Sequence, residues 1–201
     1  MILVRSAVLF AAASFLAGCD ANPGVGVPPA SAAPKATISL VNGVAPKNAI
    51  VTLLPAGAPL PMPDQPAVMD QYAKQFVPAV LITRVGQPVE FRNSDDTLHN
   101  VHVDFDEKRE PAFNVAIPTG GSYTYSFKHD GFYRVGCDIH PAMAAMIYST
   151  TTPFAALAAP DGRFAFDGVP PGAWTITVYA AGKRLQRDVE VGGGLTSVTV
   201  E

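Results

Sequence analysis

The chain is poor in cysteine, histidine and tryptophan, with two, four and one of these residues among 201. Charged residues are also scarce, at 15%, and the formal net charge is -3. This charge balance therefore gives no indication of the basic surface that a nucleic-acid partner would require. Nineteen prolines and seventeen glycines favour a loop-rich, all-β protein over a helical one. The length leaves room for one or two modest domains.

No long hydrophobic run is present at the N-terminus, where residues 7–17 form an apolar stretch of only 11 residues after Arg5. A membrane-spanning helix needs about 20 residues, so this stretch is more typical of a signal peptide. It ends in Leu16-Ala17-Gly18-Cys19, which resembles a bacterial lipobox, where the cysteine is lipidated. We expect a lipoprotein signal peptide at residues 1–18. An ordinary signal peptide with a chance cysteine is the alternative.

Lipid on Cys19 would anchor the protein to a membrane on the periplasmic side. Asp20, which follows directly, resembles an inner-membrane retention signal, so the inner membrane is favoured. Residues 19–34 are rich in proline and predict a flexible tether. Lipidation of Cys19 would also leave Cys137 without a disulfide partner in an oxidising compartment. Cys137 is then either a buried inert thiol or a metal ligand.

Short alternating runs separated by turn residues continue from residue 77 to residue 149, which predicts a β-sandwich or barrel. Val68, Tyr72 and Phe76 are spaced four apart and allow a short helix as an alternative in that segment. From residue 151 onward the alternation continues without cysteine or histidine. We therefore expect one domain at residues 35–150 and a small second β domain, without chemistry of its own, at residues 151–201.

Three soft or borderline metal donors lie within seven residues: Cys137, His140 and Met143. Thiolate, imidazole and thioether together select copper over hard cations, and a second histidine would complete such a site. His99 is the favoured candidate because it stands at a loop-to-strand junction. His102 would face the other side of the same strand, and His129 lies in a polar turn.

The stretches LHNVHV (98–103) and CDIHPAM (137–143) resemble the cupredoxins, blue copper proteins of the amicyanin and plastocyanin type. The resemblance covers about residues 75–150 and implies a Greek-key β-sandwich. It also implies one type 1 copper held by His99, Cys137, His140 and Met143, and a supporting hydrogen-bond role for Asn100. Met146 is the alternative axial ligand. Ala142 stands where an aromatic residue is common, which leaves the reduction potential open.

Residues 151–201 resemble the carboxypeptidase regulatory-like, or transthyretin-like, β-sandwich, which is an accessory module in the carboxypeptidases. The combined resemblance implies an electron carrier rather than an enzyme, with a redox protein as its partner. Copper delivery or buffering, and a structural role for the β domains, are the alternatives. A zinc site fits less well, because structural zinc prefers four nitrogen, thiolate or oxygen donors.

Overall fold

The computed structural model describes residues 40–55, 62–106 and 108–200. Within those ranges the chain forms sixteen β-strands and no helix, which confirms the all-β prediction and leaves no helix there that could span a membrane. The predicted signal peptide, Cys19 and the tether at 19–34 lie outside the described residues. In chain order the strands are β1 (Leu40–Val44), β2 (Ile50–Pro55), β3 (Ala67–Tyr72), β4 (Gln75–Val77), β5 (Val80–Arg84), β6 (Pro88–Asn93), β7 (His99–Phe105), β8 (Glu110–Ile117), β9 (Ser122–Ser126), β10 (Gly131–Gly136), β11 (Ala144–Thr150), β12 (Ala155–Leu157), β13 (Arg163–Asp167), β14 (Gly172–Ala180), β15 (Lys183–Val191) and β16 (Leu195–Thr199).

The first sandwich consists of a five-stranded sheet, β5-β11-β10-β7-β8, and a four-stranded sheet, β4-β3-β6-β9. Several neighbouring strands are not consecutive in sequence, so the chain crosses between the sheets as it does in Greek-key arrangements. Strand β6 shows how sequence determines the layers, because Val89, Phe91 and Asn93 point inward and their neighbours are more exposed. Fourteen buried residues, with Phe91 and Phe127 fully buried among them, form one core between the sheets.

The second sandwich consists of a three-stranded sheet, β13-β1-β16, and a four-stranded sheet, β12-β2-β14-β15. Its separate core contains residues from both sheets, including Val41, Phe166, Trp174 and Ile176. The alternation that predicted these strands is visible in β13, where Phe164 and Phe166 are buried between exposed neighbours.

Strands β1 and β2 group differently from the expectation that residues 35–150 form one domain. β1 pairs with β13 and β16, and β2 pairs with β12 and β14, so both belong to the second sandwich. Their inward residues Val41, Val51 and Leu53 are fully buried in the core of that sandwich. The reason is physical: β1 lies between β13 and β16, and β2 lies between β12 and β14, so the C-terminal strands alone could not form continuous sheets.

The segment that allowed a short helix forms the hairpin β3–β4 instead. Met69 and Gln71 are buried and Tyr72 is 62% exposed, which is the period-two pattern of a strand. Ala73 and Lys74 both have positive φ, of 52° and 55°, as a two-residue turn that matches the strand twist requires. The helix alternative is therefore wrong, because tertiary pairing with β6 outweighs a weak helical spacing.

Candidate metal centre

His99 begins strand β7 and is fully buried at one end of the first sandwich. Its backbone pairs with Ile117 of β8, which is also buried. An imidazole at the first residue of a paired strand is held by the sheet on one side and faces the adjoining loops on the other. This placement agrees with the expectation that His99 stands at a loop-to-strand junction.

Cys137 follows the last residue of β10, and the loop from Cys137 to Met143 leads into β11. Two backbone hydrogen bonds close this loop: the amide of Cys137 donates to the Met143 carbonyl at 3.3 Å, and the amide of Met143 donates to the His140 carbonyl at 2.9 Å. Cys137 and Met143 are 4% and 2% exposed and both belong to the core of the first sandwich. The motif is therefore a tight loop with its sulfur-bearing residues directed inward.

The donor atoms of His99, Cys137 and His140 converge on one point. The two Nδ1 atoms lie 3.0 Å apart, and Sγ of Cys137 lies 3.9 Å from each of them. The centre of the triangle defined by these distances lies about 2.1 Å from every donor atom, against typical metal–imidazole and metal–thiolate bonds of about 2.0–2.1 Å and about 2.3 Å. The three donors are therefore spaced closely enough that they could hold one metal ion.

The chemistry of the donor set favours a soft or borderline transition metal. One thiol and two imidazoles select copper or zinc over magnesium and calcium, which prefer oxygen ligands. The three donors are the only group of at least three His, Cys, Asp or Glu side chains with metal-binding geometry in the described part of the chain. A structural role for a buried thiol would not require two imidazole nitrogens at these distances.

The two methionines considered for the axial position lie in different surroundings. Met143 is buried in the same core cluster as Cys137. Met146 is on β11, is only half-buried, and lines a separate cavity between the two sandwiches. Met143 therefore packs in the same core as Cys137, whereas Met146 lines a different cavity.

Asp95 is a part of the site that the sequence pattern did not reveal. Its Oδ2 lies 2.8 Å from Nε2 of His99, on the side of the ring away from the donor triangle. The carboxylate also accepts hydrogen bonds from the backbone amides of Ala73 and Lys74, at 2.6 and 2.8 Å. The Lys74 amide is the main cause of a lowered pKa for Asp95, and His99 adds to it. Asp95 thus fixes the His99 ring and leaves Nδ1 directed at the donor triangle.

Asn100 joins the two ligand-bearing loops. Its Oδ1 accepts the thiol hydrogen of Cys137 at 3.2 Å and the backbone amide of Asp138 at 2.7 Å. Gln71, which is fully buried on β3, donates to the Asn100 carbonyl at 3.1 Å. The structure therefore places Asn100 where the resemblance implied a supporting hydrogen-bond role. The tie to Gln71 was not foreseen.

A polar network continues from Asn100 to the surface through Asp138. The Asp138 carboxylate accepts hydrogen bonds from the side-chain amides of Asn100 and Asn114, at 2.9 and 2.8 Å. Nδ1 of His102 lies 3.0 Å from the same carboxylate. The pKa of His102 is raised, chiefly by Asp138, and the pKa of Asp138 is lowered, chiefly by His102. His102 therefore faces away from the donor triangle, as expected. Through its contact with Asp138 it helps to hold the loop that begins at Cys137.

The outer rim of the site is apolar. His140 is half-buried, and Pro141 and Ala142 beside it are exposed. Leu98 and Ile139 are 48% and 47% exposed, which is high for large aliphatic side chains.

His129 is exposed in a turn and packs against Phe105 with ring centroids 5.8 Å apart. His129 therefore contributes nothing to the donor group.

Comparison with protein-family models and with curated proteins found no match. Among solved structures, the chain is similar to the copper-containing nitrite reductase from Thermus scotoductus SA-01, with 26% identity and a TM-score of 0.41. It is also similar to a methionine-to-alanine variant of amicyanin in the Cu(I) form, with 21% identity and a TM-score of 0.39. A third similar structure is the purple cupredoxin from Nitrosopumilus maritimus, with 24% identity and a TM-score of 0.37.

These matches cover 47%, 49% and 42% of this chain, in the same order. They cover 97% of the amicyanin variant and 99% of the purple cupredoxin, but only 26% of the reductase. The chain thus spans about a quarter of the length of the nitrite reductase. Just under half of this chain is similar to two whole cupredoxins and to a part of a larger enzyme.

Proposed function

We propose that this protein is a cupredoxin-type electron carrier with one type 1 copper site. The observation that carries the proposal is the donor triangle of His99, Cys137 and His140, whose centre lies at bonding distance from all three atoms. Met143 would supply a thioether donor, and the resulting ligand set suits copper that changes oxidation state with little rearrangement. Bound copper would supply a one-electron couple between Cu(I) and Cu(II).

Cys137 binds as a thiolate in this proposal, so its thiol proton must leave. That proton is donated to Asn100 Oδ1 in the described structure, and metal uptake therefore releases it. Asp95 holds the His99 ring and Asn100 holds the Cys137 loop, so the donors change position little between oxidation states. A rigid ligand set keeps the structural cost of electron transfer low.

His140 is the ligand nearest to solvent, and it provides the route for electrons. The ring is half-buried. Its chain neighbours Ile139, Pro141 and Ala142 are exposed, and so is Leu98, the neighbour of His99. An apolar rim allows a redox partner to dock without specific ion pairs. It also excludes water from the contact. The small side chain of Ala142 would leave more of the site open than an aromatic residue at that position.

The location and the accessory domain are parts of the same proposal. Lipid on Cys19 would hold the protein at the periplasmic face of a membrane, with the inner membrane favoured, and residues 19–34 would give the folded part its reach. The second sandwich is proposed as a carboxypeptidase regulatory-like accessory module. Its described residues contain no histidine or cysteine.

Voltammetry of the copper-loaded protein, combined with a Cu(I) chelator assay, tests the electron-carrier proposal against copper delivery. An electron carrier gives a reversible one-electron wave and keeps its copper when a Cu(I) chelator is added. A copper-delivery protein gives up Cu(I) to the chelator within the time of the assay. Rapid and complete loss of Cu(I), without a reversible wave, would contradict electron transfer and leave copper handling.

A further inference from the structure

A cavity of about 430 Å³ lies between the two sandwiches, away from the donor triangle. It shares no residue with His99, Cys137, His140 or Met143. Its volume falls within the range of about 300–1,000 Å³ that is usual for small-molecule sites, which often lie at domain junctions. The cavity is therefore large enough for a small organic ligand, and binding there would not depend on copper.

The wall of the cavity is mainly apolar and comes from both sandwiches. Its apolar side chains are Ile50, Val80, Phe132, Met146, Leu157 and Tyr179. Leu157 is 43% exposed, so a large aliphatic surface in this wall has no protein partner covering it. Burying such surface releases free energy in proportion to its area. An apolar ligand body would gain that energy here.

The floor of the cavity is held by aromatic contacts across the junction. The ring of Tyr179 lies with its centroid 5.1 Å from Phe132 and 5.3 Å from Tyr148. The hydroxyl groups of Tyr148 and Tyr179 are 3.4 Å apart, and Phe132 packs on Tyr148 at 4.7 Å. These contacts connect β10 and β11 to β14. The cavity shape is therefore preorganised, which lowers the cost of binding.

The charged groups at the rim are unbalanced toward positive charge. Lys183 and Arg184 begin β15 on one side, and Asp106 lies on the other. Asp106 is already paired with Arg134 at 3.0 Å. Within the described ranges neither Lys183 nor Arg184 has a carboxylate within ion-pair distance, and the Arg184 guanidinium lies 5.8 Å from the centre of the Tyr179 ring. Two cations thus stand beside the apolar wall without anions of their own.

We infer that this cavity binds a small organic carboxylate with an apolar body. The apolar body would lie against Leu157, Met146 and Phe132. The carboxylate would lie at the rim beside Arg184, which is opposite Tyr179 of the cavity wall, and Lys183 would add to the positive charge there. Since the protein as a whole carries a net charge of -3, attraction for an anion must come from these local cations. Both parts of the ligand are needed, which distinguishes this site from a plain hydrophobic patch.

Fluorescence titration with 1-anilinonaphthalene-8-sulfonate tests this inference, together with displacement by octanoate and by uncharged 1-octanol. The purified protein should bind the probe saturably at one site, and octanoate should displace it. Replacing both cations, as Lys183→Gln with Arg184→Gln, should weaken octanoate about tenfold and leave 1-octanol within about twofold, because only the charged contact is lost. Leu157→Gln should weaken both ligands, because it removes apolar wall.

The matched control replaces two cations of the same sandwich that lie outside the cavity, Arg163→Gln with Arg187→Gln. Arg163 has a side chain 80% exposed, and Arg187 is exposed on β15. This control should leave octanoate binding unchanged. The inference is overturned if the probe does not bind saturably, or if the control variant and the cavity variant weaken octanoate equally. It is also overturned if sedimentation shows a dimer whose second copy covers the cavity.

Discussion

The two sandwiches of this protein have the same kind of framework and different contents. Each has two sheets around its own apolar core, and each keeps the period-two alternation along its strands. The first places three metal donors and a network of buried amides at one end. The buried polar residues described in the second sandwich are all threonines: Thr52, Thr152 and Thr177. A β-sandwich therefore provides a scaffold, and function resides in the polar residues at one end of it.

The first test of this contrast removes one donor, through His99→Ala. We expect copper affinity to fall by more than about a hundredfold, because loss of a ligand costs more than loss of a residue behind a ligand. Competition with a chelator of known affinity measures the change. His129→Ala is the control, since that ring is exposed and outside the donor group. Equal affinity in the His99 variant and the wild type would place the metal elsewhere.

The second test concerns the cores and replaces Ile176 of β14 by Ala. Ile176 is fully buried in the second sandwich, so the cavity left behind should lower the free energy of unfolding by about 2–5 kcal/mol. Copper affinity should stay within about twofold, since the two cores are separate clusters and a distant, independent site adds little. Denaturant unfolding gives the stability change.

Ile147→Ala makes the matching change in the first core. Ile147 is also fully buried, on β11, which continues directly from the ligand loop. A comparable loss of stability is expected, together with weaker copper binding. If both variants lose copper affinity equally, the separation of the two sandwiches into framework and site is wrong.

The third test removes the charge behind the His99 ring, through Asp95→Asn. Copper affinity should fall about tenfold to a hundredfold, because partners of metal-bound imidazoles orient the ring and raise its basicity. Because the pKa of Asp95 is lowered in the folded protein, its contribution to stability is present above about pH 3.9 and is lost as the pH falls through the folded pKa. Acid unfolding of wild type and variant checks this second part.

A control for Asp95→Asn is available one position along the chain. Asp96 is exposed, so Asp96→Asn makes the same chemical change beside the site without touching His99. It should leave copper affinity and acid unfolding unchanged. Similar losses in both variants would show that general charge near the site, rather than the contact between Asp95 and His99, produces the effect.

The smallest expected effect concerns the pair of His102 and Asp138. The pKa of His102 is raised chiefly by its hydrogen bond to Asp138, and Asp104 adds to the effect. The stabilisation by protonated His102 is therefore complete below about pH 6.5 and is lost as the pH rises through the folded pKa. Asp138→Asn should lower the pKa of His102 toward its ordinary value, as measured by NMR titration of the metal-free protein. Asp161→Asn, on the second sandwich, should leave that pKa unchanged.

Much of the fold can be predicted from the sequence because strand alternation is a local property. The runs at 88–94, 99–105, 131–137 and 144–149 all predict strands that the structure contains. The pairing of β1 and β2 with the C-terminal strands could not be predicted in the same way. The pairing depends on which distant strands lack a neighbour in their sheet, and no local sequence pattern carries that information.

The donor group was within reach of the sequence because spacing fixes local geometry. The short spacing of Cys137 and His140 brings their donor atoms within 3.9 Å of each other, and His99 was the histidine at a strand junction. The full ligand set with Met143 was implied by the resemblance to the cupredoxins. The supporting residues were harder to predict. Asp95 stands four residues before His99 in NSDDTLH, which is a weak signal for a carboxylate behind a ligand ring, and Asp138 was visible only as the neighbour of Cys137. Their roles depend on contacts made across strands.

The most direct test of the central claim is the visible and EPR spectrum of the protein with one equivalent of Cu(II), compared with the same measurement on Cys137→Ser. A type 1 site gives an intense blue thiolate-to-copper band and a narrow copper hyperfine splitting, and we predict that both disappear in the variant. A pale spectrum with wide splitting that is the same in both proteins would contradict a type 1 site, because copper would then be bound without the donor triangle.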